Sequence, residues 1–438
     1  MDFIGRQDKI ERLRALRAAA DGTSQFVILT GRRRVGKTEL VKRAFSDEPF
    51  VYLFVARKSE ADLVSSFVDE VNAVPDLHMS PDIHTLEGFS KELFLLAKNR
   101  RVTVFLDEFQ DFLRVAPKAF SILQGLWDRH HDTSRLALVV CGSVNSIMTR
   151  IFQDRKEPLY GRGTAFIRLE PFTTEELRGI LSARRPSVRP EDILSLWAVT
   201  GGVAKYVALL VDAKATDRDG AIRFAFDSDS PFLLEGRMLL GDEFGAEGGT
   251  YYTILSAIAR GATIRNEIEQ ATGKPVGGHL TRLEKDYRLV AKKLPLFAAT
   301  SKNLRYSIDD EFLRFWFRFV QHRAYMVEIG AFDALRSLAR RDWETFTGPA
   351  LERWFRAKLA ESGEWTRIGA WWDRKGENEI DIVAENELAG RASFFEVKRD
   401  ARRFDEVVLR RKADAFLAAT GAFRGYDLSF GCLSLADM

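Results

Sequence analysis

Apolar residues in the first 170 positions gather into short continuous runs rather than alternating with polar ones. Phe26-Val27-Ile28-Leu29-Thr30, Phe50-Val51-Tyr52-Leu53-Phe54-Val55, Val102-Thr103-Val104-Phe105-Leu106 and Leu136-Ala137-Leu138-Val139-Val140-Cys141 are apolar at almost every place. Such runs predict strands buried on both faces. Between them, Asp8 to Ala20 and Glu39 to Phe45 carry apolar residues at helical spacing, and a further strand is predicted at Phe166-Ile167-Arg168-Leu169. Strands alternating with helices predict an α/β fold with a parallel sheet covered on both sides.

The pattern changes after residue 170. Thr173-Thr174-Glu175-Glu176 has the spacing of a capping box and predicts a helix start. Helical patterns continue from Leu194 to Leu210, broken at Thr200-Gly201-Gly202. Tyr251 to Ala259, Thr263 to Ala271 and His279 to Lys285 predict three short helices, and Val290 to Leu294 with Asn303 to Ile308 predict a hairpin. Three helices and a hairpin make a winged helix. Phe312 to Val320 is aromatic at nearly every apolar position and predicts one clamping helix. Gly348-Pro349 is expected to open another helix, followed by strands at Glu379 to Val383 and Phe394 to Lys398. The organisation expected is therefore residues 1–170 as an α/β core, 171–245 as a helical lid, 246–310 as a winged helix and 311–438 as linker helices with a C-terminal α/β domain.

Chemistry enters at Gly31-Arg32-Arg33-Arg34-Val35-Gly36-Lys37-Thr38, which fits GxxxxGK[ST] without a mismatch between a predicted strand and a helix that begins near Glu39. The glycines let several N–H groups turn toward phosphate oxygens at a helix N-terminus. Lys37 is expected on the β- and γ-phosphates and Thr38 on Mg²⁺. The strand ending in Asp107-Glu108 supplies a second candidate pair: Asp107 for Mg²⁺, Glu108 to orient and deprotonate water. Ser143, or Asn145, stands where a γ-phosphate sensor is expected. Arg162 is a candidate arginine finger, acting within its own chain or across an interface.

A second constellation lies near the C-terminus. Alternation along Phe394-Phe395-Glu396-Val397-Lys398 puts Glu396 and Lys398 on one face, and an adjacent strand would bring Asp381 beside them. Carboxylates that close repel unless a cation lies between them, and Mg²⁺ (or Mn²⁺) in such an oxygen cage activates water for phosphodiester cleavage. Lys398 would orient that water or stabilise developing charge. Basic residues offer candidate nucleic-acid contacts: Arg282 and Lys285 on the third short helix, Lys292 and Lys293 on the wing, Arg402 and Arg403 downstream.

Composition alters this picture little. The 438 residues carry a formal charge of +3, too small for a whole-protein argument for nucleic acid. Cys141 and Cys432 form neither a disulfide framework nor a zinc spacing, so a reducing, cytoplasmic setting is expected. No apolar run reaches membrane-spanning length and no signal-peptide pattern opens the chain, so no membrane partner is expected.

Together, Phe3-Ile4-Gly5-Arg6, the phosphate loop, Leu106-Asp-Glu-Phe-Gln110, Cys141-Gly-Ser143, Leu159-Tyr-Gly-Arg162 and Phe312-Leu-Arg-Phe-Trp316 resemble the prokaryotic AAA-type "archaeal ATPases", one branch of which ends in a restriction-endonuclease-like domain of unknown function. The resemblance implies that Gly5 and Arg6 belong to the adenine-holding box, with Glu39 just after the loop, and that ATP is the nucleotide. It also implies that Glu352, Asp381, Glu396 and Lys398 match the nuclease pattern of an upstream helical Glu, an Asp and Glu-x-Lys. Where such proteins carry Gly-Gly-x-Pro in the lid, this chain has Gly201-Gly202-Val203-Ala204. The function expected is an Mg²⁺-dependent ATPase associated with DNA, with a nuclease-like C-terminal domain and partners that include protein or a second copy. The alternative is an ATP-driven regulatory switch whose C-terminal domain is a non-catalytic scaffold.

Overall fold

In the computed structural model of the protein, residues 4–184, 187–244, 248–298, 300 and 303–438 are described, apart from the side chains of Asn145 and Asp242. Phe3 and the Asn145 side chain, both expected near the nucleotide, lie outside the described residues. The chain divides into two compact units, residues 2–170 and residues 171–438 (grouped with Met1).

The first unit is built on β1 (Gln25–Gly31), β2 (Val51–Phe54), β3 (Val102–Asp107), β4 (Leu136–Cys141) and β5 (Ala165–Leu169), all parallel in the order β2-β3-β4-β1-β5. Every residue of β3 and β4 is buried, which is why their sequences do not alternate. Phe26, Ile28, Val104 and Leu138 pack into the core on one face; Val27, Leu29, Phe105 and Val139 pack into the core on the other. Because β4 lies between β1 and β3, the loops leaving these three strands emerge side by side at the C-terminal edge of the sheet, the edge where α/β sheets bind ligands.

The second unit begins with helices. Thr173 caps Thr174–Ser182 in a capping box with Glu176. Gly201 and Gly202, both at positive φ, separate Pro190–Thr200 from Ala204–Asp212. Helices Gly248–Ala259, Arg265–Thr272 and Gly277–Lys285 precede an antiparallel pair, β6 (Val290–Lys293) and β7 (Arg305–Ile308). The C-terminal sheet has the order β11-β10-β9-β8, from β8 (Arg367–Trp372), β9 (Glu379–Asn386), β10 (Arg391–Lys398) and β11 (Asp427–Ser434). β8, β9 and β10 are antiparallel neighbours, while β11 runs parallel to β10. Ile380, Val383, Phe394, Leu409 and Phe416 form its core with the helix Glu406–Thr420.

Two expectations are corrected. The segment Gly348-Pro349 does not open a helix; Pro349 sits inside the 30-residue helix Phe332–Glu361. Interior proline costs roughly 3 kcal/mol, but Trp343, Phe346, Ala350, Leu351, Trp354 and Phe355 are all buried around it and hold the helix through. The aromatic stretch is not one regular helix either. It is α-helical over Glu311–Phe315 and π-helical over Trp316–Val320. Phe312, Phe315, Trp316, Phe317 and Phe319 are all buried, so the segment is apolar around most of its circumference rather than along one stripe.

Candidate nucleotide site and C-terminal carboxylate cluster

The phosphate loop leaves β1 at Gly31, whose φ is 144°. A Cβ there would lie 2.4 Å from the Leu169 carbonyl oxygen of β5, so only glycine lets the strand end pack this closely. Arg34 (φ 70°) and Gly36 (φ 97°) turn the loop into the helix Lys37–Ala44. The Lys37 Nζ donates to the carbonyls of Gly31 (2.9 Å) and Arg32 (3.0 Å), spanning the loop from within. Glu39 faces solvent on the first helical turn.

At the end of β3, Asp107 is almost fully buried. Its Oδ2 accepts from the Thr38 hydroxyl at 2.8 Å and from the Tyr52 hydroxyl at 3.3 Å. Its Oδ1 accepts from the Glu108 N–H at 2.9 Å and the Cys141 thiol at 3.0 Å. Burial and the adjacent carboxylate push the Cys141 thiol and the Tyr52 phenol well above their ordinary pKa values, so both remain donors. A hydroxyl and a carboxylate in contact are the oxygen donors that Mg²⁺ takes in phosphate-loop sites, and Thr38 and Asp107 fit that role.

Glu108 has φ 54°, an unusual backbone for a side chain that must point somewhere particular. Its Oε2 accepts from the Ser143 hydroxyl at 2.7 Å and from the Gln110 amide. The Gln110 amide also reaches Ser143 at 3.5 Å. Gln110 closes the Leu106-Asp-Glu-Phe-Gln110 motif, but sequence reasoning gave it no role of its own; here it holds Glu108 together with Ser143. Gly142 makes room for it, since a Cβ at 142 would lie 2.3 Å from the Gln110 Oε1.

Arg6 is nearly buried, with Nη1 donating to the Val35 carbonyl at 2.6 Å and Nη2 to the Glu170 carbonyl at 3.2 Å. Its guanidinium therefore braces the phosphate loop. Arg162 makes a two-pronged pair with Asp128 (2.9 and 2.7 Å) and donates to the Pro158 and Tyr160 carbonyls.

In the second unit, the β9–β10 register pairs Phe395 with Ile382, and its continuation sets Glu396 opposite Asp381. Asp381 Oδ2 accepts from the Val397 N–H at 2.8 Å. Burial and then the charges of Glu352 and Glu396 push the Asp381 carboxyl up to about 6. Burial alone would also raise Glu396. Hydrogen bonds from Lys412 (2.9 Å) and Lys398 (3.1 Å) outweigh it and hold that carboxyl low. By its place between Arg411 and Ala413, Lys412 shares a basic stretch of sequence with Arg410 and Arg411. Its side chain instead turns inward from Glu406–Thr420 to the carboxylate. Glu352, on the long helix, pairs with Arg356 at 3.2 Å, and Arg356 also donates to the Asp381 carbonyl. Among the described residues, no three His, Cys, Asp or Glu side chains are grouped to hold a metal ion.

The candidate nucleic-acid residues are dispersed. Arg282 is exposed and lies against the Tyr251 hydroxyl at 3.4 Å; Lys285, Lys292 and Arg403 are exposed, and Arg402 pairs with Asp400. Lys293 is not on an outer wing surface: it faces inward, half-buried, against the long helix.

A family of ATPase domains predominantly from Archaea matches residues 3–210, and a family of archaeal and bacterial proteins of unknown function matches residues 316–408. Residues 3–210 are an archaeal-type P-loop ATPase domain. An uncharacterized protein of Methanocaldococcus jannaschii is 28% identical over 406 residues, covering 89% of this chain and 87% of that one. The Walker-type ATPase of Pyrococcus abyssi is similar in fold (TM-score 0.53, 17% identity, 72% of this chain and 96% of that one). So is the ORC2 protein of Aeropyrum pernix, solved in ADPNP–ADP complexes (TM-score 0.53, 16% identity, 78% and 96%). Among the described residues, no helix of the chain is long and apolar enough to cross a membrane.

Proposed function

We propose that the protein hydrolyses ATP with Mg²⁺ at Lys37, Thr38, Asp107, Glu108 and Ser143, and that its C-terminal domain is a nuclease-like module acting on DNA. For the first half, the carrying observation is the Ser143–Glu108 contact beside the Thr38–Asp107 contact. Lys37 binds phosphate charge, Glu108 holds and deprotonates the attacking water, and Ser143 fixes the Glu108 carboxylate in place. Thr38 and Asp107 would hold Mg²⁺, which when bound would neutralise charge on the transferred γ-phosphoryl and the leaving ADP. ATP turnover that persists in a Lys37→Ala protein would sink this assignment.

For the second half, the carrying observation is the crowding of Asp381 by Glu352 and Glu396, with Lys398 in reach. Mg²⁺ is commonly held by one or two carboxylates together with water and phosphate oxygens, and Asp381 and Glu396 fit that kind of site. Asp381 and Glu396 would hold the ion, whose chemistry, when bound, would be to lower the pKa of a water for attack on phosphorus. Lys398 contributes positive charge beside the scissile phosphate, and Asp381 keeps its orientation through the Val397 N–H. Basic side chains at Arg282, Lys285, Lys292, Arg402 and Arg403 offer phosphate contacts. The test is cleavage of single-stranded, duplex and branched DNA with Mg²⁺ or Mn²⁺, with and without ATP, alongside Asp381→Ala and Lys398→Ala proteins. Cutting by the parent and not by the variants is expected.

One observation favours a second reading. Glu396 already carries two lysine partners and Glu352 an arginine, so the cluster is largely neutralised by its own cations. In that reading the C-terminal domain is a scaffold and ATP state governs partner binding. It predicts slow ATP turnover with no cleavage of any substrate.

A further inference from the structure

Within the second unit, the β6–β7 hairpin, the end of the helix Gly248–Ala259 and the middle of the long helix line a cavity of about 360 Å³ that is open to solvent on one side. Six cationic side chains line it: Arg260, Lys293, Arg314, Arg318, Arg353 and Arg356. Glu352 is the one carboxylate among the lining residues. Behind the wall, Glu311 pairs with Arg314 and Arg353, and Asp342 approaches Arg318 at 3.7 Å while also serving Arg323 and Arg341. With Asp309, whose charge acts on Lys293 and Arg353, four carboxylates face six cations, and among the described residues no ion pair engages Lys293 or Arg260.

Like charges at this closeness repel, and the groups register it. Burial, then Arg353 and Arg356, pulls the Lys293 ammonium down to about 8, against the opposing pull of Asp309 and Glu352. Burial, then Arg314 and Arg356, lowers Arg353 to about 10, although Glu311 and Asp309 act in the other direction. Arg356 is spoken for on one side only: Nη2 reaches Glu352 and the Asp381 carbonyl, while its Nε is buried with no hydrogen-bond partner. A buried donor without an acceptor is costly to keep. A cavity that gathers this much positive charge has been shaped for an anion.

The geometry points to a receptor for a phosphomonoester dianion, held by Lys293, Arg318, Arg353 and Arg356. Guanidinium forks match phosphate oxygens two at a time, and a group with two charges and three terminal oxygens meets an excess that one carboxylate would leave half satisfied. The volume sits at the lower end of the range for small-molecule sites, enough for a phosphate with part of its nucleoside. Either the 5′-phosphorylated end of a nucleic acid or a free nucleoside monophosphate carries this chemistry. The inference does not require the neighbouring carboxylates to cut anything.

The test uses the full chain with Lys37→Ala, so that the phosphate loop does not mask a second phosphate site, in chelating buffer to prevent cleavage. Fluorescence anisotropy compares one short 3′-labelled oligonucleotide with a 5′-phosphate and with a 5′-hydroxyl, and calorimetry measures AMP binding directly. A preference of about tenfold or more for the phosphorylated end, worth roughly 1.4 kcal/mol, identifies a nucleic-acid end as the source. AMP binding without that preference identifies a free nucleotide. In either case Lys293→Met and the more exposed Arg318→Gln should each weaken the measured binding at least about fivefold while the melting temperature stays that of the parent. Equal affinity for the two oligonucleotides together with no AMP binding would overturn the proposal. So would binding that both variants leave untouched.

Discussion

Replacing Asp381 with asparagine should stabilise the second unit in metal-free buffer, the reverse of what loss of a buried hydrogen-bonding residue usually does. Asp381 is largely buried, and burial with Glu352 and Glu396 nearby raises its carboxyl from 3.8 to about 6. The folded state thus binds a proton more tightly than the unfolded chain, and stability from this group is present below pH 3.8 and lost as pH rises through 6. At 1.36 kcal/mol per pKa unit, a rise from 3.8 to about 6 corresponds to about 3 kcal/mol of strain carried by the ionised form at neutral pH. Asparagine keeps an oxygen for the Val397 N–H and carries no charge, so part of that strain, about 1–3 kcal/mol, should return as stability. Seven of the eight tryptophans lie in residues 171–438, so tryptophan fluorescence follows this unit during urea unfolding. The expected result is a higher midpoint for Asp381→Asn near pH 7.5 with chelator, a gap that closes by pH 4, and a gap that narrows when Mg²⁺ is added to both proteins. A variant less stable than the parent at pH 7.5, or a gap independent of pH, would refute the crowded-carboxylate account.

Three further outcomes concern the first unit. Glu108→Gln should retain ATP binding while phosphate release slows by about 10² or more, and Ser143→Ala, which removes one of the two donors to Glu108, should lower kcat about tenfold with little change in KM. Arg6→Ala removes a charged donor from the Val35 carbonyl; it should cost about 2 kcal/mol in thermal unfolding and raise the KM for ATP, whereas an adenine-specific role would also change the ATP-to-GTP ratio. If Arg162 serves as a finger it must leave Asp128, so Arg162→Ala should cut turnover by about 10³ and Asp128→Ala should raise it; unchanged rates in both variants would leave Arg162 a structural pair.

How much of this could be read from sequence follows from how local each feature is. The central strands were legible because two-sided burial writes itself as uninterrupted apolar runs, and β3 and β4 are buried at every residue, whereas the edge strand β5 alternates buried and exposed residues. The phosphate loop was legible because its conformation needs glycine and its chemistry needs lysine at fixed spacing. Asp381, Glu396 and Lys398 were brought together by strand alternation plus one guess, that β9 and β10 are neighbours. What failed was partner choice. Lys412 lies on a helix whose other basic residues face outward, and only the packing of Leu409, Ala413 and Phe416 against the sheet turns it toward Glu396. Lys293 looked like a wing lysine equivalent to Lys292, yet alternation sends the two to opposite faces of the strand, one to solvent and one into the arginine-lined cavity.

Pro349 marks the same boundary from the other side. Its local signal argues for a helix start, and tertiary burial of Trp343, Phe346, Trp354 and Phe355 overrides it. The consequence is functional as well as structural. An uninterrupted helix carries Glu352, Arg353 and Arg356 on one rigid element. That element presents Glu352 and Arg356 to the Asp381 side and Arg353 and Arg356 to the cationic cavity. A helix that began at Gly348 would hold Glu352 and Arg353 only just beyond its first turn, with less helix behind them to fix their positions. Arg356, bonded to the main-chain carbonyl of Asp381 while lining the cavity, ties the backbone of β9 to the cavity wall through this one rigid helix.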